Sequence, residues 1–347
     1  MRILWLSPWL RPLARCYGEE LRAQGDEVLL ITSDQHPEPV GTLDWEVVTD
    51  PRPKSPGTWP DFARIYRRAR DFRPDVVITE FVRDPRWLAL GALAPRVNFR
   101  HDDQPHGVDE ERPRWERAIF DRWGASARRT ICFSDYVATR LGGVLSTQSI
   151  GVVPLSSDLP DNLAAHPETA DRREDFVLIG RLNEYKNLQT VFEAWQRHVT
   201  GPGYQGDTLR LYGCATTPPR LPKAAWWNGG PYDYHTVVAP LRRAKGSVAH
   251  YRLATQSGVQ VLSMQLGVAP IVSTHGALPE FQPQIPAPID RDDITGLTAA
   301  FDLLADPRAA AAAGEAAARR YRRDFAAPVA AAALRRELLL VAKEHHR

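Results

Sequence analysis

The sequence predicts an α/β protein built from two doubly wound parallel units. Short apolar runs alternate with helical patterns along most of the chain, the order that produces parallel sheets flanked by helices. The alternation breaks at a polar, proline-containing stretch over 156–174 and then restarts. The length of 347 residues suits about two domains.

Each element has its own signal. Residues 2–7 form an apolar run. Leu13, Tyr17 and Leu21 then recur at helical spacing, Gly25 can close that helix, and 27–32 is apolar again. Phe62, Ile65, Ala69 and Phe72 mark one face of a basic helix that leads into Asp75-Val76-Val77-Ile78. Residues 96–100 read as a strand ending in His101-Asp102-Asp103, 115–123 as a helix, and 130–133 as a strand. Ser134 is placed to cap a helix over 135–141. Val152-Val153-Pro154 closes the first half. In the second half, 176–179 is a strand, Gly180 turns, and Leu188, Val191, Phe192 and Trp195 share a helical face. Strands are expected at 208–212, 247–249 and 268–273, and helices at 259–266, 309–318 and 329–342. The segment 226–235 reads as an aromatic turn. The expected boundaries are 1–157 and 175–325 for the two units, 158–174 for the linker and 326–347 for a closing helix.

Composition excludes several classes. Hydrophobic residues make up 43% and charged residues 25%, which is ordinary for a globular chain. No apolar run reaches the ~18 residues of a membrane-spanning helix, and the start lacks the apolar stretch of a signal peptide. Cys16, Cys132 and Cys214 are odd in number and far apart, so a reducing cytoplasm is expected. The net charge of +2 is too small to argue for nucleic acid. No glycine-rich dinucleotide fingerprint, P-loop, HExxH or GxSxG occurs.

The strongest local feature is Val177-Leu-Ile-Gly-Arg-Leu-Asn-Glu-Tyr-Lys-Asn-Leu188. A strand ends at Gly180, Arg181 follows, and Lys186 stands where a helix opens. Two cations and the helix N-terminus suit a diphosphate. Arg181 can grip two oxygens, while Lys186 acts as a point charge. The alternative is a pair of solvated charges. Only five of the 44 basic residues are lysine, which weakens that alternative.

With these residues in place, the sequence resembles glycosyltransferase family 4. Gly180-Arg181-Leu182 with Glu184-Tyr185-Lys186-Asn187 is similar to the family's donor motif. Thr130-Ile-Cys-Phe-Ser134, Val152-Val-Pro-Leu-Ser-Ser-Asp158, Leu262-Ser-Met-Gln-Leu-Gly-Val-Ala-Pro-Ile-Val-Ser-Thr274 and His275-Gly-Ala-Leu-Pro-Glu-Phe281 resemble further family segments in the same order. The resemblance implies the GT-B fold, two Rossmann-like domains facing across a cleft, with the last helix crossing back to the first. It also implies a transferase that moves a sugar from a nucleoside-diphosphate sugar to a hydroxyl acceptor, retaining and metal-independent. The donor is a co-substrate, and no cofactor is expected.

Donor contacts carried over by resemblance are Gly180, Arg181, Lys186, Gly213, Gln256, Ser257, Gly258, Val259, Gln260, Ser263 and Glu280. The family also carries two glutamates spaced Glu-x7-Glu. Here no Asp or Glu occurs between Asp233 and Glu280. Gln256, Gln260 or Ser263 would have to hydrogen-bond instead, more weakly than a carboxylate; Ser257 could equally be a plain N-cap. The first turn also departs: Pro8, Trp9, Leu10 and Arg11 replace a Gly-Gly turn, and either shape an acceptor pocket or pack.

His101, Asp102 and Asp103 lie where a strand ends, the place open α/β sheets hold their sites. By resemblance His101 hydrogen-bonds the donor sugar, and Asp102 or Asp103 accepts the acceptor's proton. A metal cluster with His106, or a solvated loop, are the alternatives at this position. The aromatic segment could stack on a base or pack in a core. The arginines over 64–70 read as a solvated face that could also meet anionic lipid or nucleic acid. Two other functions fit: a non-catalytic nucleotide-sugar-binding relative or partner subunit, and a transferase acting on a nucleic-acid base or other macromolecule.

Overall fold

The computed structural model describes residues 1–33, 41–50, 52–53, 55–102, 113–143, 145, 149–164 and 167–345. It divides into two compact units, Met1–Asp158 with Ala327–Arg347, and Leu159–Ala326.

The first unit contains β1 (Arg2–Leu6), α1 (Arg11–Ala23), β2 (Glu27–Ser33), β3 (Glu46–Thr49), α2 (Trp59–Phe72), β4 (Val76–Glu80), α3 (Trp87–Gly91), β5 (Arg96–Arg100), α4 (Arg114–Ala125), β6 (Arg129–Cys132), α5 (Asp135–Gly142) and β7 (Ser149–Val152), together with the helix Ala327–His345. Its seven strands are parallel in the order β3-β2-β1-β4-β5-β6-β7. Leu4 of β1 stands opposite Leu29 on one side and Val77 on the other. The strands are nearly all apolar because both faces are covered. On one face Leu4, Leu6, Leu29, Ile31 and Val77 meet Phe62, Ile65 and Ala69 of α2, Trp87 and Leu90 of α3, and Phe120 of α4. Each such side chain contributes about 1.5–3 kcal/mol by leaving water. α1 packs along the helix Ala327–His345, where Arg335 donates to Asp26 at 2.7 Å and Arg129 pairs with Glu337. Ser134 caps α5, accepting from Val137 N at 3.2 Å. The short edge strand β3 was not expected. Its first residue, Glu46, is a buried acid that breaks the apolar pattern and pairs with Arg11 at 2.9 Å and with Arg15.

The second unit contains β8 (Glu174–Ile179), α6 (Leu188–Thr200), β9 (Leu209–Gly213), β10 (Ala225–Gly229), α7 (Tyr234–Arg243), β11 (Ala244–Ala249), α8 (Gly258–Gln265), β12 (Pro270–Val272), α9 (Leu278–Phe281), α10 (Ile294–Ala305) and α11 (Pro307–Asp324); the helix Ala327–His345 that follows is α12. Five parallel strands run β10-β9-β8-β11-β12. Phe176 of β8, Trp195 of α6 and Phe301 of α10 meet edge to face, with ring centroids 5.1 to 5.6 Å apart. Such pairs add to area burial. The predicted aromatic turn is instead in part a strand: Trp226 and Trp227 belong to β10, opposite Arg210 and Leu211. Edge pairing with β9 decides this, and Trp227 Nε1 donates to Gly213 O at 2.8 Å. α7 and α10 were not expected. Pro240 inside α7 hides its helical pattern.

Candidate functional site

Each unit gathers polar groups at the carboxyl ends of its central strands.

In the second unit, Gly180 (φ 128°) follows β8 and Gly213 (φ 140°) ends β9. A Cβ on Gly213 would collide with the Gly180 carbonyl oxygen, and a Cβ on Gly180 would stand 2.8 Å from Lys186 Nζ. Only glycine lets the backbones approach this closely. Arg181 follows, exposed, and a 3-10 turn over Glu184–Lys186 carries the chain to α6. Asn187 (φ 56°) turns the chain at the start of α6. Its Nδ2 donates to Arg291 O at 2.6 Å and to His250 Nδ1 at 3.2 Å, and its Oδ1 accepts from Thr190 at 3.0 Å.

That turn buries Lys186 to 4% exposure. Its Nζ donates to Ile179 O at 3.3 Å and lies 3.8 Å from the Tyr251 ring centroid and 5.3 Å from that of Tyr185. Burial pulls its pKa from 10.5 down to about 8; Tyr185 opposes the shift and Arg181 adds to it. Lys186 therefore stays cationic at neutral pH, held over an aromatic face instead of a carboxylate. Burial pushes the Tyr251 phenol up to about 12, so it stays neutral.

The remaining donor candidates do not all join this cluster. Ser257 caps α8, accepting from Gln260 N at 3.2 Å. Gln260 is buried, and its Nε2 donates to Leu278 O at 3.0 Å and to Gln282 Oε1 at 3.1 Å. Ser263 donates to Val259 O at 2.6 Å, one turn back. Gln256 and Val259 are half-buried and Gly258 is exposed. Glu280 sits half-buried on α9, its carbonyl accepting from Arg320 at 2.7 Å. Aligning Leu262-Ser-Met-Gln-Leu-Gly on the family's Glu-Ala-Met-Ala-x-Gly puts Leu262 at the second glutamate and Ala254 at the first. Both are buried among apolar neighbours.

In the first unit, Ser7 follows β1, Glu80 ends β4 and His101 follows β5. These are adjacent strands, and β1 and β4 flank the point where strand order reverses. Ser7 Oγ donates to Glu80 Oε2 at 2.5 Å, and His101 Nε2 donates to Glu80 Oε1 at 2.5 Å. All three are buried. The carboxylate fixes which imidazole nitrogen carries the proton. Phe133 and Phe81 flank the imidazole, with ring centroids at 4.7 and 4.8 Å. Asp102 is half-buried beside it. Asp103 and His106 lie outside the described residues. Arg11 opens α1, where Glu46 takes its charge. Among the described residues no group of three or more His, Cys, Asp or Glu could hold a metal ion.

Sequence reasoning missed Glu80, Ser7, Phe81 and Tyr251. One signal was available for Glu80: an acid closing the apolar run Val76-Val77-Ile78-Thr79 stands at a strand's carboxyl end, as His101 does.

A family model described as Glycosyltransferase Family 4 matches residues 14–158. No curated protein matches the sequence. Among solved structures, sucrose-phosphate synthase from Thermosynechococcus elongatus is similar over 98% of this chain and 99% of its own, at 18% identity and a TM-score of 0.72. An E. coli structure described as trehalose-6-phosphate bound with UDP-2-fluoro glucose is similar over 97% and 99%, at 9% identity and a TM-score of 0.66. The alpha,alpha-trehalose 6-phosphate synthase of Burkholderia multivorans is similar over 99% and 98%, at 12% identity and a TM-score of 0.66. Two parallel α/β units with this likeness define the class, the GT-B fold. Residues 14–158 are what matches the glycosyltransferase family 4 model, and the likeness of the whole chain to these structures is one of fold.

Proposed function

We propose that the chain transfers a sugar from a nucleoside-diphosphate sugar to a hydroxyl of an acceptor, with retention and without a metal ion. One observation carries the reading: a buried lysine, without a carboxylate partner among the described residues, beside exposed Arg181 and the close approach of Gly180 and Gly213. Charge develops on the diphosphate as the glycosidic bond breaks. Fixed cations at that point lower the barrier more than they tighten the ground state. His101, oriented by Glu80, hydrogen-bonds a hydroxyl of the donor sugar, and Asp102 or Asp103 takes the acceptor's proton. The UDP-2-fluoro glucose of the E. coli structure supports a nucleotide donor. The names of the similar synthases support a small-molecule acceptor. We also propose a cytoplasmic location, which three cysteines outside any disulfide support; among the described residues no helix is long and apolar enough to cross a membrane.

The test is release of nucleoside diphosphate from a panel of UDP-, GDP-, ADP-, CDP- and dTDP-sugars. His101→Ala should leave nucleotide binding intact and suppress release; full activity in that variant removes His101 from the site. A second reading, a non-catalytic nucleotide-sugar-binding relative, rests on Ala254 and Leu262 standing where the family has carboxylates. Binding without any turnover across the panel would favour it.

A further inference from the structure

We propose that Phe81 is the acceptor platform: its exposed ring, beside His101, stacks on the C–H face of a saccharide and selects acceptors built on such a ring. The inference rests on the transfer reading of the His101 site and names the acceptor class for it.

Phe81 combines two unfavourable features. Its backbone is left-handed, φ 48°, a region where a bulky L-residue is strained and glycine or asparagine is at ease. The residue is 40% exposed, although phenylalanine is ordinarily an interior residue. The flanking residues fix both features. Glu80 is 1% exposed and tied to Ser7 and His101. Val82 is 7% exposed and packs in the core with Phe62 and Trp87. Between two such anchors the backbone has to turn, and Phe81 points out of the core. A side chain needed only for packing would be buried, and a position needing only the turn would be better filled by Gly or Asn. Strain of this kind persists where surrounding structure over-determines it, and it clusters at ligand clamps.

The ring's surroundings say what it recognises. It lies 4.8 Å from the His101 ring at 34°, so its exposed surface stands beside the imidazole and the half-buried Asp102 that follows it in the chain. An aromatic face is electronegative and attracts the C–H face of a saccharide. The hydroxyls at the rim of the same sugar can reach polar partners alongside.

The experiment is saturation-transfer NMR with methyl α-D-glucopyranoside and, separately, adenosine, on the wild type, Phe81→Asn and Phe81→Trp. Asparagine suits the left-handed backbone and removes the ring; tryptophan keeps a platform. The expected result is saturation of the glucoside ring protons in wild type and Phe81→Trp, and roughly 2- to 10-fold weaker binding in Phe81→Asn, the range of aromatic stacking. The Phe81→Asn variant should melt within about 2 °C of wild type or above it. Equal signals in wild type and Phe81→Asn, no glucoside signal in wild type, or saturation of adenosine alone would overturn the proposal. So would a large fall in melting temperature, which would make the ring a packing element. A glucoside signal that depends on Phe81 in a protein that binds no nucleoside diphosphate would leave the platform standing and remove the donor reading.

Discussion

At the scale of single residues, Lys186 joins burial, charge and function, and its behaviour with pH has two opposite signs. Its folded pKa of about 8 lies below the ordinary 10.5. Between those values the unfolded chain holds a proton that the folded chain has lost, so this group makes the ligand-free fold more stable as pH rises from 8 toward 10.5. On the proposed reading the cation holds the donor, so affinity for a nucleoside diphosphate should fall over the same rise, by up to about tenfold per pH unit above the pKa. Thermal melts with and without ligand from pH 7 to 9 check both signs; affinity that is flat with pH would exclude Lys186 from the anion site. Glu80→Gln should lower transfer by roughly 10-fold or more while leaving donor affinity unchanged, because it loosens the His101 orientation and touches no phosphate contact. Lys186 was legible in the sequence because lysine is scarce in an arginine-dominated chain. Glu80 was not, because its partners Ser7 and His101 lie 73 and 21 residues away and meet it only once the strand order is known.

At the scale of elements, α8 shows what replaces a missing motif. Its buried side is Gln260, Val261, Leu262, Ser263, Met264 and Gln265. Gln260 Nε2 and Ser263 Oγ donate to the carbonyls of Leu278 and Val259, while among the described residues Gln260 Oε1 is buried without a hydrogen-bond partner. Restoring the carboxylate by Leu262→Glu should destabilise the second unit by roughly 2–4 kcal/mol, since the site is packed among Leu159, Val177 and Leu266. Chemical denaturation measures this; an unchanged midpoint would mean that Leu262 can turn outward. Ser257 capping was readable from Gln256-Ser257-Gly258 alone, as was Ser134 at α5, because caps are local. β3 and β10 were not readable, because an edge strand of four or five residues takes its conformation from its neighbour: Glu46 interrupts the apolar pattern, and Trp226-Trp227 reads as a turn beside Gly229-Gly230.

At the scale of the whole molecule, the two units carry separate ionic locks. In the first, Arg15 and Arg11 outweigh the effect of burial and hold the Glu46 carboxyl at about 2, below its ordinary 4.5. That contribution is present above pH 4.5 and is lost as pH falls toward 2. In the second, burial alone would lower His198, but Asp207 and Asp302 outweigh it and raise its pKa above 6.5. Asp302 accepts from its Nδ1 at 2.5 Å. This contribution is complete below pH 6.5 and fades as pH climbs through the raised value. Glu46→Gln should therefore flatten the acid limb of a stability profile, and His198→Gln the limb above pH 6.5; a profile unmoved by either variant would contradict the assignment. The alternation of strands and helices made the two-unit plan readable. The place of α12 in the first unit was beyond any local pattern, since its partners Asp26 and Arg129 lie 309 and 208 residues from Arg335 and Glu337.

The central claim is that the Gly180–Lys186 turn binds a diphosphate, and calorimetric titration of the wild type and Lys186→Met with UDP, GDP, ADP, CDP and dTDP tests it most directly. Methionine fills the buried space without a charge, so the variant should fold. The account predicts saturable binding of at least one nucleotide to the wild type, and at least roughly 10-fold weaker binding to Lys186→Met, the loss expected for a charge-assisted contact. Equal affinity in the two proteins, or no binding to the wild type at millimolar nucleotide, would contradict it.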